Sequence, residues 1–569
     1  MSQTPPTAVI YYHPDGYTTA GPKLMGRNAA GESFLRGFFA YGRGDDSWAY
    51  VTQAAHGQHF ADAAKGAGKT GRVHAVDKNN LPALGQIGVV YYPGPGLGEH
   101  AWQRAAYGHA AWSLCGITHT TSSAGAMDAI TDLLTAPVQP WDALICTSTA
   151  VKNNVEKLLQ AQADYLRARL GVTKLVLPML PVIPLGIHTA DFIYTPEQKA
   201  AARAQLGADA STLVVLYTGR LSFHAKAHPL AMYQALELAA QGLQDGQKIV
   251  LVECGWHANE HIRQAFADAA ALACPSVRVV TLDGRLADER QTAWAGADVF
   301  CSLSDNIQET FGIVPIEAMA AGLPVVVSDW DGYKDTVRDG VDGYRISTLQ
   351  PQGGLGSDLA LRHALEIDTY DMYCGHSCSL VAVDVAACAQ AFGRLFASAE
   401  LRQTMGQAGQ QRAQTVYDWS VIIPQYEALW ASQTAQRLAQ GADLAALPHP
   451  WPARMDPMQA FAAYPTLSLT PQTMLALVDD SAAIAHQRLK AYQALAMVNY
   501  AKLVVPDDAE LALVIASAAK GPQAALALVE GIAADRQAFV FRALAWLVKL
   551  HILRIIQDSR TSDTASVAH

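Results

Sequence analysis

The sequence has little charge, few aromatic residues and no excess of basic side chains. Only 16% of its 569 residues are charged and 50% are hydrophobic, so large cores can be buried. Lys and Arg number 41 against 51 Asp and Glu, a formal net charge of −10. Because the phosphates of nucleic acids require basic surfaces, we do not expect a nucleic-acid-binding protein. A chain of this length suits several packed domains.

Cysteine, leader sequences and long apolar runs are also scarce. The eight cysteines are too thinly spread for a disulfide framework. Cys374 and Cys378 flank His376, but no second ligand pair follows at a zinc-like spacing, so we expect reduced thiols and no metal. The start lacks a basic and apolar leader, and no run of about 18 uncharged apolar residues occurs. These absences predict a cytoplasmic protein without a membrane-spanning helix.

Strand-like and helix-like segments alternate along most of the chain, which predicts parallel sheets with helical crossovers. Three prolines between Pro178 and Pro184 interrupt this alternation, and a second series starts near residue 210. The sequence therefore predicts an α/β protein with two tandem Rossmann-like domains. The predicted strands are 9–12, 48–51, 88–92, 143–146, 174–177, 213–217, 248–253, 277–282, 299–302 and 324–328, and the predicted helices include 32–41, 101–114, 148–170, 228–241, 259–273 and 311–321.

The composition changes after about residue 437. Four prolines between Pro448 and Pro457 indicate a stiff connector, and residues 470–558 are rich in Ala and Leu at helical spacing. We predict a helical extension of three or four helices with a polar, disordered tail at 557–569. The apolar run 539–556 contains three cationic residues, so it can be a buried helix, a protein interface or a surface that meets anionic lipid.

Two carboxylates follow the strand predicted at 299–302. Glu309 falls in the loop after the strand, and Glu317 falls about two turns into the next helix. Carboxylates accept strong hydrogen bonds from hydroxyl groups. The helix start offers unpaired N–H groups to an anion, and a glycine there lets a ligand approach closely. The backbone groups of this candidate anion site belong to Phe311, Gly312 and Ile313.

Cations follow the strand predicted at 213–217. Gly219, Arg220 and Lys226 lie just beyond its carboxyl end, which is where ligands of open α/β sheets bind. The planar guanidinium of Arg220 can grip a phosphate, and Lys226 adds a point charge. Together with the two carboxylates, these cations predict a site for an anionic ligand that is rich in hydroxyl groups.

These segments resemble the signatures of the family-4 glycosyltransferases of the GT-B fold. Glu309 and Glu317 have the spacing of the family's E-x7-E pattern, and Gly219-Arg220 with Lys226 resembles its second signature. The resemblance covers roughly residues 8–430. It implies two Rossmann-like domains that face a cleft. It also implies transfer of a sugar from a nucleotide-sugar donor with retention of anomeric configuration, without a metal or other cofactor, in glycan biosynthesis.

The resemblance also implies roles for individual residues. Arg220 and Lys226 would bind the donor pyrophosphate, Glu317 the ribose hydroxyls and Glu309 the transferred sugar. His119 falls where the family often has a cleft histidine, which could orient the sugar or manage the acceptor proton. The expected donor is a UDP- or GDP-sugar, and the expected acceptor is a saccharide, a lipid-linked glycan or a protein. The glycine-rich loop expected on the acceptor side includes Gly21, Gly26, Arg27 and Asn28.

The expected domains follow from the same resemblance. Residues 1–205 would form the acceptor-side domain and 206–414 the donor-binding domain, with closing helices at about 415–436 that return to the first. Residues 437–569 lie outside the resemblance and could meet a partner protein, a second copy or the inner face of the membrane. Two alternatives stay open: another sugar enzyme of the same fold, such as an epimerase or phosphorylase, and a degenerate sugar-binding scaffold subunit.

Overall fold

The structure, a computed structural model, describes residues 7–18, 26–445, 447, 449 and 451–556. The chain forms two compact units, Met1–Trp451 and Pro452–His569. The first unit is built on two parallel sheets of six strands each. The two sheets confirm the predicted α/β architecture with tandem Rossmann-like domains.

The first sheet has the strand order β3-β2-β1-β4-β5-β6, and all its pairings are parallel. The order reverses between β1 and β4, so the loops that follow these two strands diverge and leave a crevice at the carboxyl edge. The strands are β1 Val9–Tyr12, β2 Ser47–Val51, β3 Val73–Val76, β4 Val89–Tyr91, β5 Ser113–Ile117 and β6 Ala143–Ile145.

The second sheet repeats this topology in the order β12-β11-β10-β7-β8-β9 and is also parallel. Its order reverses between β7 and β10. Successive residues of β7 enter different cores, since Val214 and Leu216 pack on one face and Val215 and Tyr217 on the other. Burial on both faces explains the continuous apolar runs in the sequence. The strands are β7 Thr212–Thr218, β8 Lys248–Gly255, β9 Arg278–Asp283, β10 Val299–Ser302, β11 Val325–Ser328 and β12 Gly343–Ile346.

Helices cover both sheets, and a long helix at the end of the unit returns to the first sheet. In this helix, Gln433 Nε2 donates to the carbonyl oxygens of Leu114 and Trp141 at 2.8 and 3.0 Å. The α-helices of the first unit are Gly26–Tyr41, Ala54–Gly66, Leu84–Ile87, Gly98–Ala105, Ala124–Asp132, Thr149–Leu170, Pro196–Gln205, Leu230–Ala240, Glu260–Ala273, Ala287–Gly296, Ile313–Ala320, Tyr333–Thr336, Ser357–Ala364, Tyr370–Cys378, Val385–Ala397, Ala399–Arg412 and Trp419–Gln440.

Two helices of the second domain lie between a pair of short antiparallel strands. Strands β13 (Thr348–Leu349) and β14 (Ala382–Val383) pair antiparallel and enclose the helices Ser357–Ala364 and Tyr370–Cys378. We call residues 350–381 the helical module. The sequence analysis did not predict it, because its flanking strands have only two residues each.

Two predicted elements of the first domain are wrong. Residues 174–177 form no strand, and only Met179 and Val182 make single bridges to the edge of the sheet. The three neighbouring prolines lack the N–H groups that a ladder requires. The predicted helix 101–114 ends at Ala105 instead, and its last residues begin β5. That strand is buried along its whole length, so it shows no alternation that would separate it from a helix.

The second unit contains the predicted helices and, in addition, a three-stranded antiparallel sheet with the order β16-β15-β17. The apolar run 539–556 is divided between a helix and the last strand. The predicted tail at 557–569 lies outside the described residues. No described helix is long and apolar enough to cross a membrane. The elements are β15 Met474–Leu477, β16 Gln523–Ala524 and β17 Leu553–Ile555, with helices Pro457–Ala460, Ala482–Gln493, Ala496–Asn499, Asp508–Ala518 and Gln537–Lys549.

Candidate active site

The loops that leave β7 and β10 meet where the strand order of the second sheet reverses. The β7 loop brings Arg220 and Lys226 to this point, and the β10 loop brings Glu309. Lys226 Nζ donates to Glu309 Oε2 at 2.7 Å. Arg220 Nη2 donates to the carbonyl oxygen of Ala225 at 2.8 Å and to Gln308 Oε1 at 3.3 Å. The structure therefore places three predicted site residues in one cluster at the switch point of the sheet.

Glu309 is held as a buried carboxylate. Its side chain is only 9% exposed, against 29% for Lys226. Burial alone would raise the pKa of Glu309, but the charge and hydrogen bond of Lys226 and the backbone N–H groups of Thr310 and Phe311 together lower it. The carboxylate is therefore ionised at neutral pH. One of the N–H groups expected to meet a ligand, that of Phe311, is directed to this carboxylate.

The helix after Glu309 begins at Ile313, and Gly312 is its N-cap with a φ of +85°. A Cβ at Gly312 would lie 2.0 Å from Tyr333 Cε1. We expected the missing side chain of this glycine to let a ligand approach closely. The structure gives a different reason for the glycine, because the space that a side chain would need is occupied by the Tyr333 ring. Glu317 lies just over one helical turn from the helix start, rather than two.

Glu317 lies on the side of the site that faces Arg290. Burial raises the pKa of Glu317 to about 7, while the charge of Arg290 opposes this rise. Arg290 Nη1 is in turn held by the carbonyl oxygen of Gly284, just after β9, at 2.8 Å. When the Glu317 carboxyl carries a proton, it can both donate to and accept from hydroxyl groups.

Thr310 connects the site to the first domain. Its Oγ1 donates to the carbonyl oxygen of His119 at 3.2 Å. Its own carbonyl oxygen accepts from Ser148 Oγ at 2.8 Å and from Thr147 Oγ1 at 3.3 Å. The loops after β5 and β6 therefore contact the residue that follows Glu309. This arrangement brings the main chain of His119 to the edge of the cluster.

The predicted acceptor loop is described only in part. Gly21 lies outside the described residues, and Gly26 and Arg27 begin the helix Gly26–Tyr41. Asn28 is buried, and its Nδ2 donates to the carbonyl oxygen of Asp15 at 2.5 Å. This bond ties the helix to the turn after β1, so at least one donor of Asn28 has a structural use.

The sequence analysis missed two carboxylates beside the site. Asp305 follows β10 and accepts from the backbone N–H of His228 at 3.2 Å; burial raises its pKa to about 7. Asp331 follows β11, and burial together with the charge of Glu309 raises its pKa to about 8. Each lies just beyond the carboxyl end of a strand, and this position was the available signal for both.

A third missed feature is the helical module. Tyr370 OH lies 3.0 Å from Ser122 Oγ and 3.4 Å from Thr120 Oγ1, next to His119. Cys378 Sγ donates to the carbonyl oxygen of Phe223, in the loop that carries Arg220 and Lys226, at 3.8 Å. The module thus touches both domains beside the candidate site, and no local sequence pattern indicates this.

The cysteine pair of the module does not form part of a metal cluster in the described residues, where no three His, Cys, Asp or Glu side chains are placed to hold an ion. Cys374 and Cys378 are buried, and His376 Nδ1 lies 3.0 Å from Asp368 Oδ2.

The match to a known protein family falls within the second domain. Residues 212–353, from β7 to just past β13, match the glycosyl transferases group 1 family. The D-inositol 3-phosphate glycosyltransferase of Mycolicibacterium vanbaalenii is 32% identical over 190 residues, which cover 31% of this chain and 39% of that protein. The Nocardioides protein of the same name is 28% identical over 200 residues, 33% of this chain and 41% of its own. The chain thus spans about two fifths of the length of these curated relatives.

Among solved structures, Anabaena HepE in complex with UDP aligns with a TM-score of 0.47 and 17% identity, over 75% of this chain and 100% of that chain. A sucrose-phosphate synthase from Thermosynechococcus elongatus aligns with a TM-score of 0.44 and 19% identity, over 75% and 99%. The matched family segment carries Arg220, Lys226, Glu309 and Glu317. The part of the chain that is similar to the glycosyl transferases group 1 family therefore lies in the domain built on the second sheet and includes all four of these predicted site residues.

Proposed function

We propose that this protein is a glycosyltransferase that moves a sugar from a nucleotide-sugar donor to an acceptor with retention of anomeric configuration. The observation that carries the proposal is the cluster of Arg220, Lys226 and Glu309 at the switch point of the second sheet. Two cations next to one fixed carboxylate suit a ligand that has a pyrophosphate at one end and hydroxyl groups at the other.

In this proposal, the two cations make the largest contribution to lowering the reaction barrier. Negative charge develops on the departing phosphate as the glycosidic bond breaks, so cations held there lower the barrier. The two hydrogen bonds that Arg220 makes to described residues are both donated by Nη2. The other N–H groups of its planar guanidinium can therefore bind a phosphate. Lys226 has three donors, so it can keep Glu309 and also meet a phosphate oxygen.

The carboxylates and His119 take the remaining roles. Glu309 would contact the transferred sugar, and Glu317, about one turn along the helix, would hold the ribose. His119 would orient the sugar or manage the acceptor proton from the first domain. Because Glu309 is held by Lys226 and no other described carboxylate is identified as a nucleophile, we infer a front-face reaction with internal return. A trapped covalent glycosyl-enzyme would contradict that mechanism.

Donor, cofactor and surroundings belong to the same proposal. The donor would be a UDP- or GDP-sugar, bound without a metal, and the acceptor a saccharide, a lipid-linked glycan or a protein. The enzyme would act in the cytoplasm. Its second unit would recruit a partner, a second copy or the inner face of the membrane.

A thermal-shift panel tests the donor. Purified protein is melted with UDP-glucose, UDP-N-acetylglucosamine, GDP-mannose, ADP-glucose and dTDP-glucose, each with and without EDTA. We expect one donor to raise the melting temperature equally in both conditions, and Lys226→Ala to remove that shift. Lys157→Ala, an exposed lysine on the helix Thr149–Leu170, is the control and should keep it. If no donor gives a shift, the sugar-binding scaffold alternative is favoured instead.

A further inference from the structure

The loop after β11 closes over the loop that carries Glu309. Trp330 Nε1 donates to the carbonyl oxygen of Asn306 at 3.0 Å. Gly332 lies so close to Phe311 that a Cβ on it would be 2.5 Å from Phe311 Cα. Residues 330 and 332 are thus fixed against the start and the end of the Glu309 loop. Asp331 is held between them, at the junction of both domains.

Asp331 adopts a backbone conformation that a glycine would adopt without strain. Its φ is +44°, in the left-handed region, where Asp is tolerated but strained. Only two other described residues besides glycines have a positive φ, Glu366 and His551, both at +56°. Strain of this kind persists where the surrounding structure fixes it, and it accumulates at functional sites.

The carboxyl group of Asp331 is also incompletely satisfied. Its Oδ2 is buried and has no hydrogen-bond partner among the described residues. Its Oδ1 lies 3.4 Å from Ser148 Oγ, but that hydroxyl makes a shorter bond of 2.8 Å to the Thr310 carbonyl oxygen. A buried polar atom without a partner costs stability, so the apoprotein bears two costs at one residue.

The surroundings select the kind of group that would complete this site. The carboxylate of Glu309 is close enough to act on Asp331, so a phosphate there would face repulsion from an ionised neighbour. A neutral hydroxyl meets no such repulsion. It can also donate to a carboxylate or accept from a protonated carboxyl, so it satisfies Asp331 in either state.

We propose that Asp331 is a specificity-determining residue whose Oδ2 hydrogen-bonds a hydroxyl group of the transferred sugar, beside Glu309. The proposal rests on the proposed function, because that function brings a sugar to Glu309. The proposal extends that function by naming a second carboxyl group that selects among donor sugars. A purely structural Asp331, whose carboxyl group is held by Ser148 and the backbone N–H of Gly332, is the competing explanation.

Asp331→Gly separates the two explanations, because glycine adopts the left-handed conformation freely. We expect the apo variant to melt at the same temperature as wild type or higher, since strain and an unsatisfied oxygen are removed together. We expect its kcat/KM with the preferred donor to fall roughly 10- to 100-fold, because the sugar hydroxyl is left without its hydrogen-bond partner in the site. Asp331→Asn keeps a hydrogen-bonding group of the same shape and should retain a larger share of activity.

The sugar itself provides the decisive comparison. Wild type and Asp331→Gly are assayed with UDP-glucose, UDP-galactose, UDP-N-acetylglucosamine and GDP-mannose, and then with deoxy analogues of whichever donor wild type prefers. The difference between the two proteins should vanish for the single analogue that lacks the hydroxyl bound by Asp331. Glu366→Gly is the matched control: it relieves the same kind of strain at an exposed position and should leave donor preference unchanged.

The outcomes are distinguishable. An Asp331→Gly apoprotein that melts below wild type, while Glu366→Gly does not, shows that the carboxyl has a structural partner and overturns the inference without any ligand. An active wild type whose variant loses nothing, or loses equally with every donor and analogue, also overturns it and leaves the proposed function standing. A wild type that uses no donor at all contradicts the proposed function, and the named ligand with it.

Discussion

Removing Lys226 should destabilise the protein in a pH-dependent way, because it leaves the nearly buried Glu309 carboxylate without its counter-ion. Losing one partner of a buried pair costs about 3–5 kcal/mol. Lys226 is 29% exposed, so water can replace part of the interaction, and we expect about 1–3 kcal/mol at pH 7. Lys226→Ala and wild type are compared by urea unfolding at pH 7 and pH 5.

The sign of the pH effect follows from the pKa of Glu309. In wild type this pKa is lowered, so the carboxylate contributes stability above its unfolded pKa and loses it as the pH falls. Without Lys226, burial is left as the largest influence and raises the folded pKa, so the variant gains a proton on folding. Its deficit should therefore shrink between pH 7 and pH 5. Glu309→Gln in the Lys226→Ala background should restore most of the stability but no activity. A Lys226→Ala variant as stable as wild type at pH 7, or with a deficit that does not change with pH, would show that Lys226 is not the counter-ion of a buried carboxylate.

Three further predictions concern the framework of the site. Tyr370→Phe and Ser122→Ala, combined in a double-mutant cycle of unfolding free energy, should show a coupling of about 0.5–1.5 kcal/mol, because their hydroxyl groups are 3.0 Å apart; strictly additive effects would mean that the module does not bond the first domain. Asp142→Asn should cost about 3–5 kcal/mol in urea unfolding, since it removes the charge that faces the fully buried guanidinium of Arg104; a loss below 1 kcal/mol would contradict this. Gly312→Ala should lower both the melting temperature and kcat, because its φ of +85° and the neighbouring tyrosine ring leave no space for a Cβ; unchanged activity would show that the turn is not needed.

Tyr373→Phe is the control for the Tyr370 cycle. It makes the same chemical change on the same helix, but the Tyr373 ring stacks on His363 within the module at a centroid distance of 4.2 Å. We expect it to show no coupling with Ser122→Ala.

The sequence predicted the part of the site that depends on strand ends. In a parallel sheet, residues just past the carboxyl ends of neighbouring strands share one edge. Arg220, Lys226 and Glu309 could therefore be grouped before the fold was known. Asp331 follows the same rule after β11 but was not predicted, because it lies outside the signature motifs.

The features of the site that the sequence did not predict depend on contacts between segments that are distant in the chain. Gly312 was interpreted as space for a ligand, but that space is filled by Tyr333, about twenty residues later in the chain. Tyr370 meets Ser122 across 248 residues of sequence, a pairing that no local pattern encodes. Buried strands such as Ser113–Ile117 and the short strands of the second unit carry too few residues to show a period.

We propose that Arg220, Lys226 and Glu309 form the donor site of a glycosyltransferase. The most direct test is release of the free nucleotide from a panel of nucleotide sugars, followed by chromatography, with wild type, Lys226→Ala and the exposed control Lys157→Ala. We expect slow, donor-specific release by wild type and the control, and a loss of about 100- to 1,000-fold in Lys226→Ala. Release by Lys226→Ala at the wild-type rate would contradict it.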